Sequence, residues 1–315
     1  MKHRKSRPNS KATDEMGATG RRAFLKTGAI AGVTAVGGGL LTGTASGDAD
    51  PTADLVVHDG ESAEVGDGTV KTATTTTSSG ELVSLDVHVD DDVLASVDDD
   101  EEEPHEEAAV HLSLPSDVDT HQFTFVGLHY NPVGHAPPGV HTVPHFDFHF
   151  YMVAESLIES IPLGLAAYDV SDEQFPTGYQ HEAQRLIVPE MGEHLLDGTA
   201  PEFGDGEFTH TNVYGIYDPA IDPENPTRVE EIEMEGETRE LPVFEGDGEG
   251  RIHFVEPMIT NGVLAELEAK MSVDVETPEA FPVADRYPTE YVLKPTDSGV
   301  SVSIAGFQPF PAPSE

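Results

Sequence analysis

The sequence predicts a mainly β fold, a single antiparallel β domain of sandwich or barrel-like form with long loops and little helix. Three observations carry this. Val83, Leu85, Val87 and Val89 alternate with Ser84, Asp86, His88 and Asp90, the period of two that marks a half-buried strand. Alternation returns in 110–114 and 123–126, and further strand candidates follow at 185–188, 208–217, 251–256, 290–293 and 300–305. Helical periodicity is confined to a short stretch at 154–160, with 262–271 readable as helix or strand.

Taken in chain order, the first fifty residues read as an address. Gly20-Arg21-Arg22-Ala23-Phe24-Leu25-Lys26 precedes a weakly apolar, Gly/Ala-rich segment from Ala29 to Leu41. An arginine pair, a Phe-Leu two residues later and a short apolar stretch resemble a twin-arginine export signal over 1–47, cleaved between Thr44 and Ala49. About 13 apolar residues are too few for the ~20 that a bilayer span needs. The mature protein is therefore expected outside the cell or on its surface, with no membrane anchor after processing. Residues 48–68, rich in Asp, Gly and Ala, predict a flexible acidic lead-in, and 69–310 the β domain. Within that domain the Thr-rich run 70–77 reads as a strand and Ser78-Ser79-Gly80 as a turn. The acidic run 98–103, closed by Pro104, reads as solvated loop, since it lacks the spaced ligands and glycine of a calcium loop. Residues 218–226 and 246–250 read as surface insertions.

Charge and composition exclude several functions. The 315 residues include 59 acidic against 16 Lys and Arg, a formal charge of −43. Eight of those basic residues fall in the first 26 positions, so from Asp48 onward 57 acidic residues face eight basic ones, a formal −49. A carboxylate-covered, lysine-poor surface resembles the proteins of salt-loving archaea. At molar salt the Debye length is roughly 3 Å, so such a surface repels itself little. In dilute buffer the same charge destabilises the compact state. Nucleic acid is excluded as a partner, because holding phosphates needs a basic face. With no cysteine there is no disulfide, thiolate metal site, cysteine nucleophile or lipid-accepting thiol. No Gly-x-Ser-x-Gly text supports a serine hydrolase, and no nucleotide or flavin is expected.

The histidines carry the chemistry. Six of the 15 lie between positions 121 and 149. Pro and Gly make 132–139 irregular, and Pro144 opens a strand over 145–151. Side chains alternate across a strand, which places Phe146, Phe148 and Phe150 in a core. His145, Asp147, His149 and Tyr151 then form a polar comb on the other face. Teeth two apart stand about 6.6 Å apart, and His145 and His149 about 13 Å. One ion with bonds of about 2.0–2.2 Å therefore takes Asp147 with either histidine, and the other ligands come from elsewhere. His135 arrives from the preceding loop, His194 follows the tight turn in 189–194, and His210 lies on the 208–217 strand. The candidate metal set is thus His135, His145, Asp147, His149, His194 and His210. Glu256 shares a strand face with Ile252 and Phe254, so its carboxylate needs a partner there. Imidazole and carboxylate donors without thiolate favour a divalent ion, zinc first, with manganese, iron and nickel open. The competing reading is a buried polar network that holds no ion.

Asn131-Pro132-Val133-Gly134-His135, Pro144-His145-Phe146-Asp147-Phe148-His149-Phe150-Tyr151, Met191-Gly192-Glu193-His194, Phe208-Thr209-His210-Thr211 and Glu256-Pro257-Met258-Ile259-Thr260 together resemble one exported prokaryotic family that includes a Thermus member. The resemblance covers about 65–310, and its most specific part is the block from His145 to Tyr151. The chain departs from the family at His129, where the family carries Trp, and in the acidic insertion at 218–250. That family has no assigned activity, so the resemblance implies membership and export and leaves the reaction open.

Two functional expectations follow. One is an exported binding or structural β-protein with a His/Asp-rich polar or divalent-metal site, its small-molecule or envelope ligand unnamed and homo-oligomerisation open. The other is a metal-dependent lyase or hydrolase, in which metal-bound water attacks and Glu256 or Glu190 acts as general base.

Overall fold

The computed structural model describes residues 54–96, 109–137, 139–182, 184–234 and 237–314. The expected export signal over 1–47 and the acidic run 98–103 lie outside the described residues. The chain opens with a meander of β1 (Leu55–Val65), β2 (Gly68–Thr77) and β3 (Leu82–Asp90), followed by the helical turn α1 (Asp91–Ser96). A second meander follows, of β4 (Val110–Ser113), β5 (Phe125–Asn131) and β6 (His145–Tyr151). After α2 (Glu155–Ile158) come the short strands β7 (Gly164–Ala166), β8 (Asp169–Val170), β9 (Tyr179–His181), β10 (Leu186–Ile187) and β11 (Glu193–Asp197). The long strands β12 (His210–Tyr217) and β15 (Glu249–Thr260) flank a hairpin of β13 (Arg228–Met234) and β14 (Glu237–Phe244). The chain ends with α3 (Asn261–Ala265), β16 (Met271–Asp274), β17 (Asp285–Tyr287), β18 (Glu290–Pro295), β19 (Gly299–Ala305) and β20 (Gln308–Phe310).

Two large antiparallel sheets result, in the orders β1-β2-β3-β19-β18-β16 and β4-β5-β6-β15-β12-β11-β9. Both are open, so the barrel-like alternative does not hold among the described strands. A third sheet, β10-β7-β14-β13, carries the inserted hairpin, and β17 pairs with β20. Alternation builds the shared core. Leu85, Val87 and Val89 of β3 stand across from Ile304, Val302 and Val300 of β19, and all six are buried in one apolar cluster with Phe146, Phe148 and Phe150 of β6.

One expectation needs correction. Residues 48–68 are not a loose lead-in throughout, because from Leu55 they form β1, paired with β2 along its length. β1 is an edge strand whose side chains are mostly exposed, so backbone hydrogen bonds hold it and its polar sequence carries no periodic apolar signal. β6 is buried on both faces, all seven residues of it, so the comb that stands opposite the phenylalanines is enclosed. The polar comb is roofed by the 131–141 loop and by residues 182–191, which enclose a cavity against it.

Candidate metal centre

β6 is the spine of the site. Its register places Asn131 of β5 opposite His145, and His129 opposite Asp147. On its other side β15 sets Met258 opposite Asp147 and Val255 opposite Phe150, which brings Glu256 across from His149. β12 carries Val213 against Glu256, and β11 carries His194 opposite Gly215. Five strands thus deliver their side chains to one face. The loop after β5 adds His135. It turns at Gly134, whose φ of 71° suits glycine, and a Cβ there would fall 2.1 Å from the His141 carbonyl oxygen. The turn is closed by the His135 amide donating to that same carbonyl at 2.9 Å.

The donors gather into two triads that could each hold a metal ion, His135–His145–Asp147 and His149–His194–Glu256. In the first, His145 Nε2 lies 3.2 Å from Asp147 Oδ1, and His135 Nε2 lies 3.4 Å from Oδ2. Both imidazoles have spent their Nδ1 hydrogens. His145 donates to the Val143 carbonyl at 2.7 Å and His135 to the Ala136 carbonyl at 2.7 Å, and a carbonyl can only accept. In the neutral rings each Nε2 therefore presents a lone pair, not a hydrogen, to the carboxylate. Neither the buried His145 Nε2 nor Asp147 Oδ1 has a hydrogen-bond partner. Two donors on a tetrahedral ion with bonds of about 2.0–2.1 Å sit about 3.3 Å apart, which matches these contacts. Asn131 donates to Asp147 Oδ2 at 2.6 Å and fixes the carboxylate.

In the second triad, His149 Nε2 lies 3.3 Å from Glu256 Oε1 and His194 Nε2 3.9 Å from Oε2. His149 Nε2 and Glu256 Oε2 are buried without hydrogen-bond partners. His149 Nδ1 meets His129 Nδ1 at 3.2 Å, so one of those rings donates to the other.

The electrostatics of the two triads differ. Burial opposes the charge of Asp147, yet His145 and His135 together hold its carboxyl well below the usual carboxylate range. Burial also opposes charge on His135, and Asp147 outweighs it, so its pKa is raised. Glu256 goes the other way: burial, with the Asp147 charge adding to it, holds its carboxyl well above the usual range. Burial depresses His149 far below an ordinary histidine and takes His194 down to about 3 and His129 to about 4. Without a cation the second triad is thus held uncharged, while the first carries an Asp147 carboxylate beside imidazoles.

The cavity beside the two triads has a volume of about 210 Å³. Asp147, Glu182 and Glu256 line it with His135, His141 and His194, and no Lys or Arg does. Its apolar walls include Leu186, Met191 and Met258.

Of the sequence candidates, His135, His145, Asp147, His149 and His194 meet here, and Glu256 joins them. His210 does not. It lies on the opposite face of β12, where its Nδ1 is 2.6 Å from the Tyr291 hydroxyl, because its strand position pairs with Ile259 of the core face. Glu190 does not either: its side chain is exposed, and its residue is held by the Tyr151 hydroxyl donating to its carbonyl at 3.1 Å. Sequence reasoning missed Asn131, His129, His141 and the buried Glu202, which lies 3.7 Å from His141. For Asn131 and His129 the available signal was strand pairing, which places both beside the comb. Comparison with family models, with curated proteins and with solved structures returns no match.

Proposed function

We propose that this chain is an exported, salt-adapted β-protein that binds a divalent cation at His135, His145 and Asp147. One observation carries the reading: two imidazoles with their Nδ1 hydrogens committed to backbone carbonyls aim Nε2 lone pairs at one buried carboxylate, at ligand–ligand spacing. With neutral rings, lone pairs and an anion that converge without a hydrogen between them repel, and a metal ion relieves this at the same spacing as a proton on Nε2 would. Imidazole and carboxylate donors suit zinc first. Elemental analysis of folded protein, purified in high salt without a His-tag, tests it. Stoichiometric ion is expected in the wild type, with one equivalent lost in His145→Ala and in Asp147→Asn, while His210→Ala loses none. A folded wild type that takes up none of zinc, manganese, iron or nickel overturns the reading.

The cavity favours a second reading, a metal-dependent hydrolase or lyase. A space of about 210 Å³ beside Asp147 and His135 admits water and a small substrate, and a bound ion would make that water nucleophilic near neutral pH. Export rests on Arg21-Arg22 ahead of a short apolar segment. Replacing both arginines with lysine is expected to strand the precursor in the cytoplasm, and normal secretion of that variant would count against the twin-arginine route.

A further inference from the structure

We infer that His149, His194 and Glu256 form a second, separate cation site, so that the chain holds two divalent ions of unequal lability. The two triads share no residue. Three features make the second a site in its own right. Its donors come from β6, β11 and β15, neighbours in one sheet through β12, so backbone hydrogen bonding fixes their spacing. His149 Nε2 and Glu256 Oε2 are buried near one another and have no hydrogen-bond partner, a cost that a native structure seldom leaves uncompensated. The third is the lining: Asp147 and Glu256 face a cavity that no Lys or Arg lines, so no basic side chain there competes with a metal ion for either carboxyl group.

Ligation through His149 Nε2 requires its Nδ1 to carry the hydrogen and donate to His129 Nδ1, 3.2 Å away. That is the orienting contact a ligating histidine usually makes through its other nitrogen.

The unequal lability follows from how the two triads are built. Every ligand of the second stands on a strand, with side-chain exposures of 0%, 15% and 2% for His149, His194 and Glu256. The first depends on His135, a loop residue with a side chain 39% exposed. Opening that loop removes one ligand from the first ion, whereas no comparable motion frees the second. The first ion should therefore exchange quickly and the second slowly.

Zinc stoichiometry and release test this on folded full-length mature protein in molar potassium chloride. The wild type is expected to bind two equivalents and to release them to a chromogenic chelator in two phases of equal amplitude. His145→Ala/Asp147→Asn should keep one equivalent and lose the fast phase. His149→Ala/Glu256→Gln should keep one and lose the slow phase. The variant with all four changes gives the contribution of surface carboxylates, which is subtracted. Should the Glu256 variant fail to fold, His194→Gln replaces it, at a partly exposed position. One equivalent in the wild type overturns the inference, whichever variant abolishes it. If Asp147→Asn alone abolishes that equivalent, the first site stands and only the second falls. If both pairs abolish it, the residues form one site. Two equivalents released in a single phase leave two sites and overturn their unequal lability. No uptake at all overturns both this inference and the functional reading.

Discussion

At the scale of single residues, the site separates histidines that face one another's charges from one that is simply buried. His253 is the buried case. Its Nε2 donates to the Met191 carbonyl at 2.7 Å, while Nδ1 is enclosed without a partner. Burial lowers its pKa from 6.5 to about 4. The folded state therefore refuses a proton that the unfolded chain accepts between those values. A depressed histidine contributes stability that is complete above about pH 6.5 and lost as pH falls toward 4. A shift of this size is worth on the order of 3 kcal/mol. Denaturant midpoints measured across that window should fall with pH in the wild type and fall less steeply in His253→Gln. Equal slopes would remove His253 as the origin of the acid sensitivity. Nothing in the text around position 253 marks it, because a lone histidine in a strand reads the same whether its ring is enclosed or wet.

At the scale of elements, β6 was the most legible part of the chain. Pro144 stops the preceding loop, three phenylalanines alternate with four polar residues, and the strand runs from His145 to Tyr151 as that pattern predicts. Its two faces should fail differently. Phe148 is fully buried in the core, so Phe148→Ala should cost about 3–5 kcal/mol and lose metal only as it unfolds. Gly134→Ala acts on the loop instead. The new Cβ would strike the His141 carbonyl, so His135 should be displaced and the first ion lost, with the melting temperature changing less than in Phe148→Ala. Both equivalents retained in a folded Gly134→Ala would show that the loop does not close the first site. Other elements were illegible for physical reasons. The edge strands β1 and β13 expose most of their side chains, and a strand held largely by backbone pairing has no apolar period to read. The same limit hid the assembly of the site. Spacing along β6 showed that Asp147 could join only one neighbouring histidine, but the partners of His149 were decided by the registers of β15 and β11.

For the whole molecule the governing quantity is charge. Of the eight basic residues beyond Asp48, five are arginines, and each lies within 4 Å of a neighbouring carboxylate. These pairs are local, and all but the one between Arg185 and the buried Glu193 stand at the surface, where a pair contributes little. Most of the carboxylates therefore have no cation to offset them, and their repulsion is balanced by the solution alone. The Debye length falls from about 10 Å at 0.1 M to about 3 Å at 1 M salt, so repulsion between neighbouring surface carboxylates persists in dilute buffer and fades at molar salt. The mature domain should lose its β-sheet circular dichroism when potassium chloride is dialysed away and regain it on return. Salt also strengthens apolar burial by exclusion from the surface, and sucrose does the same without screening. Comparing the two at matched osmolality separates the effects. If screening governs, potassium chloride raises the melting temperature steeply and sucrose far less. A melting temperature that is the same in dilute and molar potassium chloride would overturn the salt-adapted reading, and equal rises in both solutes would assign the effect to burial in place of charge.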